Sequence, residues 1–281
     1  MATHGVIPRE EAEQMALEQG IDVPELMMQL VPKAAKFALP SISNFYVGAV
    51  AQGTSTGSLY FGANMEFVGG ALSFTTHAEQ SASTNAWING EEGLSSIAVS
   101  AAPCGYCRQF LYELTTADKL EVMLENQPTK ELTSFLPDPF GPKDLQVTAA
   151  LMSPQSHGLT LVDGDGDPSV QAALAAADAS YAPYTASYAG VAVTTATGAV
   201  FAGRLAENAA FNPSMSPLES ALNMWNFGKT GSDPVQRVTL VQVEGAVADQ
   251  TSATLALVDS LRREGPVEFD QHAARKPTSA S

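Results

Sequence analysis

The spacing of apolar and polar positions divides the chain into short elements. The stretch "PREEAEQMALEQG" (8–20) opens on proline, has an acidic first turn and stops at glycine, which predicts a helix. "VPELMMQLVPKAAKFAL" (23–39) continues with apolar residues at helical spacing, interrupted by Pro32. "FYVGAVAQ" (45–52) and "SLYFGAN" (58–64) read as two strands joined by a polar turn. A helix is expected over about 77–89, then a strand "SSIAVSA" (95–101), a helix "PCGYCRQFLYEL" (103–114) and a strand "KLEVMLE" (119–125). This order predicts an α/β fold, a mixed sheet covered by helices and preceded by a short helical arm.

From 126 to 168 the pattern breaks into Pro, Gly and Asp, the composition of a linker. Its "DGDGD" resembles a calcium loop, but Pro168 stands where such a loop needs Gly and Leu174 where it needs Glu, so calcium is not expected. After it the first pattern returns. "YAPYTASYAGVAVTTATGAVFAGRLAENAAF" (181–211) echoes "FALPSISNFYVGAVAQGTSTGSLYFGANMEF" (37–67), pairing Gly48 with Gly190, Gly62 with Gly203 and Glu66 with Glu207. Continuing the echo pairs Glu79 with Glu219 and puts Pro217 opposite His77. A repeat that keeps its element order predicts a duplicated domain. The expected organisation is an arm over 1–23, a first domain over 24–125, a linker over 126–168, a second domain over 169–268 and a solvated tail over 269–281.

Composition narrows the functional classes. With 14 Lys and Arg against 30 Asp and Glu, the net charge is −16, which repels a polyanion, so no nucleic-acid polymer is expected as partner. No apolar run approaches the roughly 18 residues of a membrane span, and no basic-then-apolar leader is read at the N-terminus. Two cysteines do not make a disulfide framework, so the reducing cytoplasm is the expected compartment.

Both cysteines lie in "PCGYC", as Cys104 and Cys107, one helical turn apart. Pro103 suits a helix start, and free N–H groups at a helix N-terminus favour thiolate. A zinc ribbon would need a second such pair, and a thioredoxin-like redox pair remains open but leaves His77 and Glu79 unexplained. Of four histidines, only His77 falls at a helix start in the same predicted domain; His4 is in the arm, His157 in the linker and His272 in the tail. One imidazole and two thiolates leave a fourth position for water, the pattern of a catalytic Zn2+. A carboxylate two residues from His77 is close enough to serve that water without being a ligand, so Glu79 is the candidate proton carrier. "HAE" followed by "PCGYC" is the H-x-E…P-C-x-x-C signature of zinc deaminases.

The chain resembles the cytidine deaminases, in particular the bacterial class with a catalytic and a degenerate domain in each subunit. The resemblance covers about residues 20–263 and rests on "HAEQ", "PCGYCRQF", "NFYVGA" (44–49), "YFGANMEF" (60–67), "LPDPFGPKDL" (136–145) and "AENAAFNP" (206–213). It implies two tandem cytidine-deaminase-like domains and one Zn2+ per subunit. It implies a small nucleoside substrate, with Asn64 and Glu66 on the ribose hydroxyls, Phe45 beside the pyrimidine, and main-chain contacts from Ala78 and Ala102 to the base. Many relatives carry Ser or Thr at the position of Ala102. It further implies a homodimer with active sites at the subunit interface, in which Phe140, Ala210 and Phe211 reach the partner's pocket. The second half contains no cysteine, so zinc is expected only in the first. The implied reaction is hydrolytic deamination of cytidine and 2′-deoxycytidine in pyrimidine salvage; the rivals are deamination of another amino-heterocycle and a nucleoside-binding zinc protein without turnover.

Overall fold

The computed structural model describes residues 5–164 and 166–277. His4 with the start of the expected arm, Asp165 of the "DGDGD" stretch and the last four residues of the expected tail lie outside them. The chain forms two compact units. The first comprises residues 1–66, 75–153 and 208–213; the second comprises 67–74, 154–207 and 214–281.

The first unit contains β1 (Val6–Ile7), α1 (Arg9–Gln19), α2 (Val23–Ala34), β2 (Gly48–Gly53), β3 (Leu59–Ala63), α3 (Ala78–Ile88), β4 (Leu94–Val99), α4 (Gly105–Leu111), β5 (Glu121–Leu124), β6 (Lys130–Glu131) and α5 (Leu132–Phe135). Its six-stranded sheet has the order β1-β3-β2-β4-β5-β6. β2 pairs antiparallel with β3 and β4, while β4 and β5 are parallel. The parallel pair requires a crossover, and α4 supplies it. The end of β4 and the start of α4 therefore face the carboxyl edge of the sheet, where α/β folds place ligands.

Helix α3 is unusual in its burial. Every residue from Ala78 to Trp87 is buried, although the sequence there is rich in Ser, Thr, Asn and Gln. Buried polar groups need partners, and this helix uses them to fasten itself to β3. Ser81 Oγ accepts the N–H of Ala63 at 3.0 Å and Asn85 donates to the Phe61 carbonyl at 3.0 Å, while Ser83 Oγ turns back on its own helix and donates to the Glu79 carbonyl at 2.8 Å. Gly62 makes the close approach possible: a Cβ there would lie 2.1 Å from the Ala78 carbonyl oxygen and 2.4 Å from the Ala82 nitrogen.

The second unit contains β7 (Thr160–Leu161), α6 (Pro168–Asp178), β8 (Ala189–Thr195), β9 (Val200–Arg204), α7 (Pro217–Gly228), β10 (Val235–Val243), α8 (Thr251–Leu261) and β11 (Glu268–Arg275). Its sheet order is β7-β11-β10-β8-β9. β8 is antiparallel to β9 and β10, and β10 is parallel to β11. This repeats the β3-β2-β4-β5 core of the first unit, strand for strand and sense for sense, as expected of a duplicated α/β domain.

Two stretches differ from their sequence-based reading. Residues 126–153 form β6, α5 and a 3-10 turn over Pro142–Leu145 within the first unit; their Pro and Gly shape turns. Residues 268–275 form β11, and all of them but Glu268 fall in the stretch 269–281 expected as a solvated tail. Its polar side chains escaped recognition as a strand because a single network satisfies them. Arg237 grips Asp270 with Nε and Nη2 at 2.7 and 2.9 Å, Thr239 donates to Asp270 at 3.0 Å, and His272 Nε2 lies 2.9 Å from the same carboxylate. No helix among the described residues is long and apolar enough to cross a membrane.

Candidate active site

Two helix starts meet at the carboxyl edge of the first sheet. His77 is the N-cap of α3, in extended conformation (φ −86°, ψ 157°), and its N–H donates to Gln80 Oε1 at 3.2 Å. Cys104 is the N-cap of α4 (φ −69°, ψ 169°), and Cys107 lies buried on its first turn. Capping geometry thus directs the imidazole and both sulfurs to one place. Cys104 Sγ is 3.6 Å from Cys107 Sγ and 3.6 Å from His77 Nδ1, and all three donor atoms lie within 4.8 Å of one another.

These spacings can be tested against zinc. Bonds of about 2.3 Å to sulfur and ~2.0–2.1 Å to nitrogen set tetrahedral edges of roughly 3.8 Å between sulfurs and ~3.5 Å between sulfur and nitrogen. The observed distances fit. The protonation chemistry fits as well. A hydrogen bond between the two sulfurs, with backbone N–H groups and His77, lowers Cys104 to about 5 against its partial burial, while the same hydrogen bond, burial and the nearby Glu79 push Cys107 up. Two sulfurs that share one proton in this way are ready to exchange it for a cation.

Glu79 sits in the first turn of α3, 4% exposed. Burial raises its pKa, against lowering contributions from its own N–H, His77 and a hydrogen bond with Cys107. A carboxyl group inclined to hold a proton beside the metal donors is suited to carrying protons.

A cavity of about 330 Å³ opens over these groups. Its walls include Phe45, Asn64, Glu66, His77, Ala78, Glu79, Ala102 and Cys104, with Ser43, Val47, Thr75 and Ala101. The structure therefore brings together eight of the residues named from sequence, with Cys107 buried at their side. Asn64 bridges two backbone groups, accepting from Val47 N–H and donating to the Phe45 carbonyl, both at 2.9 Å. Glu66 accepts N–H groups from Ile42 and Ser43 at 2.8 Å each, and the Ser43 hydroxyl. Burial alone would push the Glu66 carboxyl up; these bonds outweigh it and hold the pKa below the usual value.

Phe140, Ala210 and Phe211 do not line this cavity. Their segments are pinned to α4 and the residues just beyond it. Gln109 donates to the Phe140 carbonyl at 2.7 Å and to Asn208 Oδ1 at 3.3 Å, and Ala209 N–H donates to Glu113 at 2.9 Å. Arg108 donates to the carbonyls of Pro103 and Phe135 at 2.7 and 2.8 Å, bracing the start of α4. Tyr106 stacks beside His77 with ring centroids 5.9 Å apart, and its hydroxyl donates to the Asn212 carbonyl. Ser43, Thr75, Tyr106 and Glu113 were not singled out from sequence. For Ser43 a signal existed, because the echo that pairs Gly48 with Gly190 also pairs Ser43 with Thr185, which keeps a hydroxyl residue in place.

Residues 22–123 match the family profile "Cytidine and deoxycytidylate deaminase zinc-binding region", and residues 132–255 match a second profile of the same description. Cytidine deaminases of Yersinia pestis (strain Pestoides F) and Yersinia pseudotuberculosis (serotype O:1b, strain IP 31758) are each 48% identical over 242 residues, spanning 86% of this chain and 81% of theirs. The chain belongs to the cytidine and deoxycytidylate deaminase family. A crystal structure of cytidine deaminase from Mycobacterium tuberculosis is similar at 28% identity, covering 42% of this chain and 96% of that one, with a TM-score of 0.38.

The second deaminase unit keeps the scaffold without the metal donors. Its α7 is capped by Ser216, whose N–H donates to Glu219 at 3.0 Å while its hydroxyl accepts the Glu219 N–H at 3.3 Å. Ser216 therefore occupies the place of His77, and Glu219 that of Gln80. The pairing of Glu79 with Glu219 and of His77 with Pro217 drawn from the sequence echo is one residue out of register. The remaining contacts agree: Ser220 Oγ accepts from Arg204 N–H as Ser81 does from Ala63, and Gly203 meets Ala221 as Gly62 meets Ala82. The connection before α7 is shorter than that before α3, which shifts the register. Leu218, not an acid, stands at the position of Glu79.

Proposed function

We propose that this chain catalyses the hydrolytic deamination of cytidine and 2′-deoxycytidine to uridine and 2′-deoxyuridine, with release of ammonia. The observation that carries the reading is a buried carboxyl group, Glu79, beside a His–Cys–Cys donor set at the floor of a nucleoside-sized cavity.

His77 Nδ1 and the sulfurs of Cys104 and Cys107 would hold the zinc. Zinc, when bound, acts as a Lewis acid that lowers the pKa of water towards ~7 and so supplies the nucleophile. Glu79 takes the proton of the attacking water and delivers it to N3 of the pyrimidine, which makes C4 electrophilic. The oxygen bonds to C4, and Glu79 then takes the proton of the C4 hydroxyl so formed and gives it to the amine, which leaves as ammonia while the C4 oxygen becomes the carbonyl. Burial supports both roles, because a carboxyl group poised between its two forms can accept and donate in turn. Phe45 lies along the base, Ala78 and Ala102 meet its edge through the main chain, and Asn64 with Glu66 receives the sugar hydroxyls. That Ala102 carries no hydroxyl is compatible with a main-chain contact.

The same reading makes the active unit a homodimer with one zinc per subunit, in which Phe140, Ala210 and Phe211 close the partner's cavity. What supports this is that Phe140 and Phe211 are 46% and 62% exposed and contribute nothing to the cavity of their own chain. The place of action is the cytoplasm and the role pyrimidine salvage, supported by two cysteines left free and by the nucleoside substrate.

An ammonia-release assay on purified protein with cytidine, run with and without a zinc chelator, tests the reading. Release of one ammonia per uridine, abolished by the chelator, is expected. Cytosine turned over as well as cytidine would overturn the nucleoside assignment, since Asn64 and Glu66 serve only a sugar.

A further inference from the structure

Two turns, one in each unit, are closed by the same carboxylate clamp. In the first, the N–H groups of Ile42 and Ser43 donate to Glu66 Oε2, and the Ser43 hydroxyl donates to Oε1. In the second, the N–H groups of Tyr184 and Thr185 donate to Glu207 Oε2 at 3.0 and 3.2 Å, and the Thr185 hydroxyl donates to Oε1. Each hydroxyl also accepts a backbone N–H two residues on, from Phe45 and from Ser187, both at 3.0 Å. The residue between adopts a positive φ in each turn, 54° at Asn44 and 52° at Ala186. The clamp is thus a property of the duplicated fold. What differs is its surroundings: Glu207 is 5% exposed, whereas Glu66 lines the cavity together with Ser43, Phe45 and Asn64.

An ionised carboxylate offers about four lone-pair positions. The turn fills three of those on Glu66, two on Oε2 and one on Oε1. The position left for a ligand is on Oε1, the oxygen that Ser43 holds. A sugar hydroxyl donating to Glu66 must share that atom with Ser43. The same serine oxygen accepts the N–H of Phe45, so one hydroxyl ties together the carboxylate on the sugar side and the backbone of the aromatic residue on the base side.

We propose that Ser43 is a positioning residue for the nucleoside: its hydroxyl aims Oε1 of Glu66 into the cavity and fixes it relative to Phe45. This rests on the deaminase reading, with Glu66 on the ribose. The second unit indicates the conservative replacement, since Thr185 makes both bonds that Ser43 makes.

The test uses the full-length, zinc-loaded protein carrying Ser43→Ala or Ser43→Thr. Cytidine kinetics are measured together with competitive inhibition by uridine and by 2′,3′-dideoxyuridine, which lacks both ring hydroxyls. Ser43→Ala is expected to raise the KM for cytidine and the Ki of uridine roughly tenfold, the effect of one lost bond to a charged group, with kcat and the Ki of dideoxyuridine changed by less than about twofold. Ser43→Thr is expected to restore both constants to within about twofold of the unsubstituted protein. An unchanged KM in Ser43→Ala, equal losses for uridine and dideoxyuridine, or a Ser43→Thr protein no better than Ser43→Ala overturns the proposal. If Ser43→Ala does not fold, the same contrast is read on Ser43→Cys, whose thiol is a weak donor. Failure of the parent reading is distinct: the unsubstituted protein would release no ammonia from cytidine, or Glu66→Gln would leave its KM unchanged.

Discussion

Cys104 Sγ and His77 Nδ1 stand 3.6 Å apart, each at the cap of a different helix. Neither helix alone presents a metal site; the spacing exists only when α3 and α4 are both docked. Removing either donor should therefore cost more than the roughly 10–100-fold in affinity typical of an outer hydrogen bond. Purified Cys104→Ala is expected to contain close to no zinc by elemental analysis, and to melt at a lower temperature, because metal binding and folding are coupled.

Glu79 is close to the donors without being needed as one. Glu79→Ala is expected to keep its zinc and its melting temperature while kcat falls by about 10²–10⁴-fold, the usual contribution of a general acid–base. Zinc content and turnover measured on the same sample decide the matter. Zinc lost in parallel with activity would instead make Glu79 a ligand.

The acid in the second unit behaves differently. Glu219 is buried, and burial raises its pKa to about 7 against the bonds from Ser216. An acid whose folded pKa lies above its unfolded value of 4.5 contributes stability below that value and loses it as the pH rises through about 7. Gln80 fills the same capping position in the first unit with no charge. Glu219→Gln is accordingly expected to be more stable than the parent at pH 8, by on the order of 2 kcal/mol, with the gap narrowing towards pH 5. Denaturant titrations at the two pH values measure it.

Gly62 sets how closely α3 approaches β3. A methyl group there would sit 2.1 Å from the Ala78 oxygen, so the helix carrying His77 and Glu79 must move. Gly62→Ala is expected to destabilise the protein by about 1–3 kcal/mol and to lower kcat/KM although no site residue is altered. Thermal melts and cytidine kinetics on one preparation test both parts.

Part of this molecule was legible in its sequence because the signals are local. Helix starts follow from Pro103 and from polar caps, strands from alternating apolar runs, and the donor chemistry from His77, Glu79, Cys104 and Cys107 themselves. The repeat of glycines at corresponding positions announced a duplicated domain, and the structure shows why those glycines recur: Gly62 and Gly203 each let a helix touch a strand. Helix α3 is the counterexample. Its hydroxyl and amide residues carry no sign of burial in the sequence, yet all are buried; Ser81 and Asn85 find partners on Ala63 and Phe61 of β3, and Ser83 on its own helix.

By itself the sequence determined which donors the protein owns, where its helices begin and that one domain plan is used twice, since each of these depends on a residue and its near neighbours. Only the tertiary structure decided that Glu219 answers to Gln80 rather than Glu79, that Glu66 spends three lone pairs on its own turn, and that residues 268–275 form a strand. The reason is the same in all three. Which distant groups meet depends on loop length and on how buried polar atoms find partners, and a shift of one residue along the chain changes the answer while leaving the local pattern intact.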